Sequence, residues 1–499
     1  MTECLQENVY ERIVLGDELH NQRNLRKALI VLVVTLFGSI ASPSRGVGPA
    51  TSASLQFAKA APATSSPLYL PLVMFHSPLQ TVFGVELHNI STGGGLDMVA
   101  QAKTTWVRRN ALLWSDIEPT EGVYNWGAAG GLEQEMINAN RKGLNLILVV
   151  RSTPTWAQKL PGYFCGPVSQ NKLQAFGNFM YEAVKRYSVA PYNVRNWQIW
   201  NEPDADYNYV TKDSLYGCWG DQKDSYYGGT YYAEALKALY PRIKQANPLA
   251  QVIIGGLLLT GLPDKYGQAK FLEGILLHKD GSGNMDGKNY FDGVAFHAYD
   301  DYGLSLGKYS NLGWKTSWDT TGPVLRAKAQ FIKGVLNSYN ASDKYLMNTE
   351  AALRLCNAST DANFNLTKAY YIAQLYAVSI VEGLQATIWY DTLGGWCNTG
   401  LLYQDLSPTE AYTAFLVARD NLKDAGFIRN LDMYSGVKGY EFVRSTRHIW
   451  ILWSLDGNDH NITLPGTPLS AHDVFNNPVT FNGANLTVKL APTYLEWNP

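Results

Sequence analysis

Charge is scarce in this chain. Of its 499 residues only 17% are Asp, Glu, Lys or Arg, and 41 basic groups nearly cancel 43 acidic ones, against about 25% charged in an average soluble protein. The net charge of -2 supplies no basic field for nucleic acid or an anionic membrane. Cysteine is scarce too. Five in such a length exclude a disulfide mini-scaffold, and none stand at zinc-ligand spacings. No glycine-rich phosphate loop follows the first strand-like segment, which argues against a doubly wound nucleotide fold. Internal repeats are lacking as well, so a solenoid is excluded. Neither a metal nor an organic cofactor is expected. What is plentiful is apolar content, at 46%, with 31 Tyr and 14 Trp. That rules out a disordered chain. A surface poor in charge and rich in rings suits a neutral, ring-shaped ligand such as a sugar.

The N-terminus reads as a targeting segment. Arg23, Arg26 and Lys27 precede an apolar run over residues 28–41, which is 14 long (41 − 28 + 1). About 20 would be needed to span a bilayer. Residues 1–41 are therefore expected to be a secretory signal, with an uncleaved anchor as the competing reading. Residues 42–75, rich in Pro, Ser, Ala and Thr, are expected to be a disordered linker. Export directs the product outside the cell, with no stable membrane insertion once the signal is cleaved. Six Asn-x-Ser/Thr sequons are present, including those at Asn89, Asn340 and Asn461.

From residue 80 to about 425, short β-rich runs alternate with amphipathic stretches. The runs fall at 82–87, 105–110, 145–151, 196–200, 251–257, 293–299, 344–349 and 386–390, with helical candidates at 170–187, 231–246, 327–338, 366–382 and 408–425. Continuous apolar character, as in ILVV, is what strands buried on both faces require. Alternation with helices implies parallel strands and helical crossovers. The expected fold class is α/β, a (β/α)8 TIM barrel over residues 76–428. After 430 the strands become short and turn-separated, with Asp456-Gly457-Asn458 and Asn482-Gly483 at turns. A small C-terminal antiparallel β-sandwich is expected over residues 429–499, with Trp450, Trp453 and Trp497 filling its core.

Barrel order also makes neighbours of the cysteines. Cys165 and Cys218 follow the third and fourth strands; Cys356 and Cys397 follow the seventh and eighth. Bonds Cys165–Cys218 and Cys356–Cys397 are expected in an oxidising compartment, against four free thiols in a cytosolic one.

In a parallel barrel the reactive groups sit at the C-terminal ends of the strands. The fourth strand ends in Asn201-Glu202-Pro203 and the seventh in Thr349-Glu350-Ala351. Two carboxylates at such positions are the pair a glycosidase uses, though either Glu alone is more often structural. The segment Trp200-Asn201-Glu202-Pro203 resembles the acid/base signature of clan A glycoside hydrolases, retaining (β/α)8 enzymes whose nucleophile Glu ends the seventh strand. Further segments match in order: Trp114 to Pro119, Gly122 to Trp126, Thr153 to Ala157, His297-Ala298-Tyr299 and Trp389. The likeness spans about residues 80 to 400 and comes nearest to family 39, which includes β-xylosidases.

The resemblance implies Glu202 as acid/base and Glu350 as nucleophile. It also implies Asn201, His297, Tyr299, Trp389 and Trp156 as substrate-binding residues, with Trp389 as the aromatic platform. An arginine of the second strand belongs to the set as well. Arg108 and Arg109 both qualify, and strand alternation turns only one inward; Arg109 stands with the candidates. Glu118 is expected to be a structural carboxylate. The function expected is secreted, retaining hydrolysis of β-glycosidic bonds in polysaccharides or their oligomers. The alternatives are an α-L-arabinofuranosidase of the same clan and an inactive carbohydrate-binding barrel. The partner is a carbohydrate, not nucleic acid, and the oligomeric state is open.

Overall fold

A strand apolar on both faces needs cover on both, and a closed barrel ringed by helices provides it. The computed structural model describes residues 81–261, 267–315, 321–356 and 362–498. The expected signal and linker lie outside them. Nine strands share the first sheet, of which one, Tyr309–Ser310, is a short antiparallel addition. The other eight are parallel: β1 (Phe83–Glu86), β2 (Trp106–Leu113), β3 (Asn145–Arg151), β4 (Asn196–Asn201), β5 (Gln251–Leu257), β6 (Gly293–Tyr302), β7 (Tyr345–Arg354) and β8 (Ala386–Trp389). Each pairs with the next, and β1 with β8 closes the barrel.

A crossover helix follows each strand, with one further turn of helix, Trp114–Ile117, directly after β2. The crossover helices are α1 (Leu96–Gln101), α2 (Gly130–Arg141), α3 (Leu173–Tyr187), α4 (Gly229–Ala246), α5 (Lys270–Leu276), α6 (Leu325–Ser338), α7 (Ala362–Val381) and α8 (Glu410–Leu422). The sequence had suggested five of them; α1 and α5 are too short for a clear apolar stripe. In α3, Leu173, Phe176, Met180, Ala183, Val184 and Tyr187 recur at helical spacing and are buried.

Inside the barrel, Trp106, Ile147, Ile253, Ala295, Met347, Ala386 and Ile388 form one apolar layer. Strand alternation then decides what stands above it. Two residues beyond Trp106 comes Arg108, and two beyond Ala295 comes His297, so both point inward. On β7 the count changes. Phe296 pairs with Asn348, but His297 pairs with Glu350. One extra residue bulges there and brings Glu350, three beyond Met347, to the inner face. β7 continues to Arg354, so Glu350 lies within the strand rather than at its end.

The expected β-sandwich follows. One sheet joins β9 (Gly426–Asn430), β10 (Val437–Arg444), β11 (Arg447–Ser454), β13 (Ser470–His472) and β16 (Thr493–Trp497); the other joins β12 (His460–Thr463), β14 (Phe481–Asn482) and β15 (Asn485–Val488). Strand β11 serves two cores by alternation. Trp450 and Leu452 face the second sheet with Ile462, Leu486 and Val488. Ile449, Ile451 and Trp453 belong to the main core shared with the barrel helices. Trp453 is thus a docking residue, not part of the sandwich interior where it was expected; Trp450 and Trp497 are where they were expected, their rings 4.9 Å apart.

Candidate active site

The inward side chains converge at the C-terminal mouth. Backbone at the end of β4 enters the left-handed region twice, at Trp200 (φ 72°) and Glu202 (φ 45°). Such conformations cost about 1–3 kcal/mol each and persist where packing over-determines them. Here the Trp200 indole donates to Cys165 O and its ring packs on Phe176 and Trp219. Asn201 is left to meet Arg108, and Glu202 follows into the cleft.

Arg108 is fully buried and organises the floor. Its Nη1 donates to Glu350 Oε1 at 2.7 Å and Glu86 Oε2 at 3.0 Å, Nη2 to Asn201 Oδ1 at 2.6 Å, and Nε to Gln198 Oε1 at 3.2 Å. Against burial, the two carboxylates hold it protonated. Arg109 points the other way and pairs with Glu135 of α2. It is removed from the candidate set by the phase of β2, and Arg108 takes its place.

Glu350 also accepts from the Tyr299 hydroxyl at 2.5 Å. His297 Nδ1 lies 2.7 Å from Glu202 Oε1 and 3.4 Å from Glu350 Oε2. Facing two carboxylates, Nδ1 is assigned the proton. Burial lowers the His297 pKa to about 3, so the ring is neutral. The imidazole fits only because β5 offers Gly256, where an added Cβ would sit 2.0 Å from Nε2. Burial pushes Glu202 up to about 7, against the lowering charges of Arg108, Lys328 and Arg354. Desolvation is thus the largest cause of the proton retained on Glu202. Nearest oxygens of Glu202 and Glu350 lie within 4.8 Å.

Two other expectations are displaced. Trp389, fully buried, follows the inward Ile388 and so faces outward. Its indole donates to Thr399 O and its ring lies 6.2 Å from Tyr371 of α7. No sugar can stack there. The aromatic faces at this end are Tyr390 and Trp396, with rings 5.4 Å apart and each edge-on to Tyr299. Trp156 packs on Trp114 and donates to Glu118 O, in the layer over α3 rather than beside the carboxylate pair. Glu118 is structural as expected, accepting from Trp114 Nε1 and Gly122 N.

Sequence reasoning missed Glu86, Gln198 and Lys328, ordinary polar residues until their neighbours are known. It also missed a 250 Å³ cavity lined by His88, Asn89, Ser91 and Thr392, in the loops after β1 and β8. There His88 bonds Asp391 at 3.1 Å, which raises its pKa. Among the described residues, Glu202, His297 and Glu350 are the one group within reach of a common metal ion. The Arg108 guanidinium already supplies the positive charge there, so the donor set does not favour a second cation. Both expected disulfides are present, Cys165–Cys218 and Cys356–Cys397.

Comparison with solved structures gives one consistent picture. A family 39 glycoside hydrolase from the gut symbiont Bacteroides cellulosilyticus WH2 superposes with a TM-score of 0.62 at 21% identity, over 84% of this chain and 80% of that one. The chain folds as glycoside hydrolases do. A family 30 endoxylanase from Clostridium papyrosolvens C71 gives 0.56 at 12% identity, over 84% and 97%. A family 51 arabinofuranosidase from Xanthomonas axonopodis pv. citri gives 0.51 at 14%, over 84% and 96%. No family model and no curated protein sequence matches the chain. Among the described residues, no helix is long and apolar enough to cross a membrane.

Proposed function

We propose that this chain is a secreted glycoside hydrolase that cleaves β-linked glycans with retention through a covalent glycosyl-enzyme. The observation that carries the reading is the Glu202–Glu350 pair, its nearest oxygens within 4.8 Å and its members differently surrounded. Retaining enzymes place these carboxyls about 5–5.5 Å apart; inverting ones leave about 6.5–9.5 Å for a water. Glu202, buried and raised to about 7, holds the proton. With Oε1 accepting from His297, that proton sits on Oε2. Glu350, receiving Arg108 and Tyr299, attacks the anomeric carbon. As the glycosidic C–O bond breaks, the leaving oxygen takes the Glu202 proton. Glu202 then removes a proton from water, whose oxygen displaces Glu350.

Asn201, its oxygen committed to Arg108, has its amide N–H groups left for a sugar hydroxyl. Tyr390 and Trp396 offer the apolar faces that Trp389 cannot. The fold shared with the family 51 enzyme supports a second reading as an arabinofuranosidase. Two disulfides and a signal-like N-terminus support export.

A panel of nitrophenyl glycosides and polysaccharides names the sugar and linkage. Glu202→Ala should retain glycosylation of substrates with good leaving groups, and azide should restore its turnover as glycosyl azide. If neither Glu202→Ala nor Glu350→Ala yields any glycosyl azide, the assignment fails. An inactive binding barrel would instead hydrolyse nothing and lose nothing on either substitution.

A further inference from the structure

The inward stripe of α6 reads Leu325, Lys328, Ala329, Ile332, Leu336, all buried. A lysine occupies a position where the pattern calls for an apolar residue. Such breaks of local rule concentrate at functional sites. Lys328 is 3% exposed, and its Nζ donates to Leu258 O at 2.8 Å, just beyond β5, and to His297 O at 2.9 Å. It therefore ties together the two strands between which the imidazole lies.

We propose that Lys328 is a positioning residue of this site: from a helix outside the barrel it holds the His297 main chain, and so the imidazole, against Glu202. The inference rests on the functional reading above for its kinetic part. Burial lowers the Lys328 pKa to about 8, against the attraction of buried Asp204 and Asp300 and of Glu202, with Arg354 opposing. Asp204 is itself spoken for, accepting from Leu258 N and Leu259 N. Glu202 is faced by Arg108 from β2, His297 from β6, and Glu350 and Arg354 from β7. The Lys328 charge lowers the pKa of both Glu202 and His297. It thus acts on the acid directly and through the ring that touches it.

A purely structural strap would look similar, and the chain contains one for comparison. Lys368 of α7 is buried in the same way, with Nζ bonded to Asn398 O and Gly400 O, and no Glu202 or His297 contact. The test is Lys328→Met beside Lys368→Met in the full chain, on the best aryl glycoside of the panel. Lys328→Met should lower kcat at least about tenfold with KM changed less, and move the alkaline limb of kcat/KM up by about one pH unit. Lys368→Met should lower the melting temperature and leave that limb in place. Lys328→Arg keeps the charge on a bulkier head; its limb should match wild type with kcat several-fold lower. In ¹⁵N-histidine spectra, the His297 ring should begin to protonate at higher pH in Lys328→Met than in wild type. If Lys328→Met melts lower but keeps the wild-type kcat, limb and imidazole titration, the proposal is overturned. If Lys328→Met does not fold, wild-type kcat in Lys328→Arg overturns it equally. Wild-type protein that turns over no glycoside defeats the functional reading instead, and the imidazole spectra still decide on Lys328.

Discussion

Adjacent arginines on one strand allow a sharp test, because Arg108 and Arg109 differ in little except the direction they face. Consider each replaced by Met, which keeps the aliphatic bulk and removes the charge. Arg109 shares one ion pair with Glu135, with side chains 19% and 13% exposed. The pair is bidentate, Nε to Oε2 at 2.6 Å and Nη2 to Oε1 at 3.1 Å, so it is worth more than the about 0–1 kcal/mol of an exposed pair. Arg109→Met should therefore lose about 1–3 kcal/mol of stability and keep its kcat and KM, since Arg109 lies on the outer face, away from the carboxylate pair. Arg108 bonds two buried carboxylates, Glu86 and Glu350, and it orients Asn201 and Gln198 as well. Removing one partner of a buried pair costs about 3–5 kcal/mol, since the other charge stays behind. Part of that is recovered if a carboxyl takes up a proton, and a protonated Glu350 is no nucleophile. Arg108→Met should thus lose about 3 kcal/mol or more in urea unfolding and fall at least about 100-fold in kcat/KM. What activity survives should have its alkaline limb shifted upward, because Arg108 is the leading charge holding the Glu202 pKa down. Equal effects of the two substitutions, or a larger one at Arg109, would refute the inward phase of Arg108 and the site built on it.

Further outcomes follow from single features. With Glu202 as the proposed proton donor, kcat/KM should fall as pH rises through about 7, tenfold per unit beyond; a profile flat to pH 9 would exclude Glu202 as the acid. Trp389→Ala should destabilise the fold by about 3–5 kcal/mol through its cavity, with kcat and KM unchanged in the molecules that remain folded; changed kinetics would return Trp389 to the site. The disulfides close loops with sequence separations of 53 and 41, each worth about 4 kcal/mol by chain entropy. Reduction should lower the melting temperature clearly, and a melt indifferent to reductant would contradict their contribution.

Much of this molecule was legible in one dimension. Eight apolar runs separated by helix-length stretches are enough to imply a closed parallel barrel, since each run needs two strand neighbours and cover on both faces. Counting those runs placed Glu202 on the fourth strand and Glu350 on the seventh, and paired the cysteines through the adjacency of their loops. Direction was not legible. A strand has period two, so a single unseen residue reverses every side chain beyond it. The bulge before Glu350 is such a residue, and the phase of β2 and β8 decides Arg108 over Arg109 and Tyr390 over Trp389. Nor could the chain announce Glu86, Gln198 or Lys328. Their significance comes from what closure brings within 3.2 Å of them. Periodicity along the chain sets which elements form; the electrostatics of the site depends on distances across the barrel, and these exist only once it has closed.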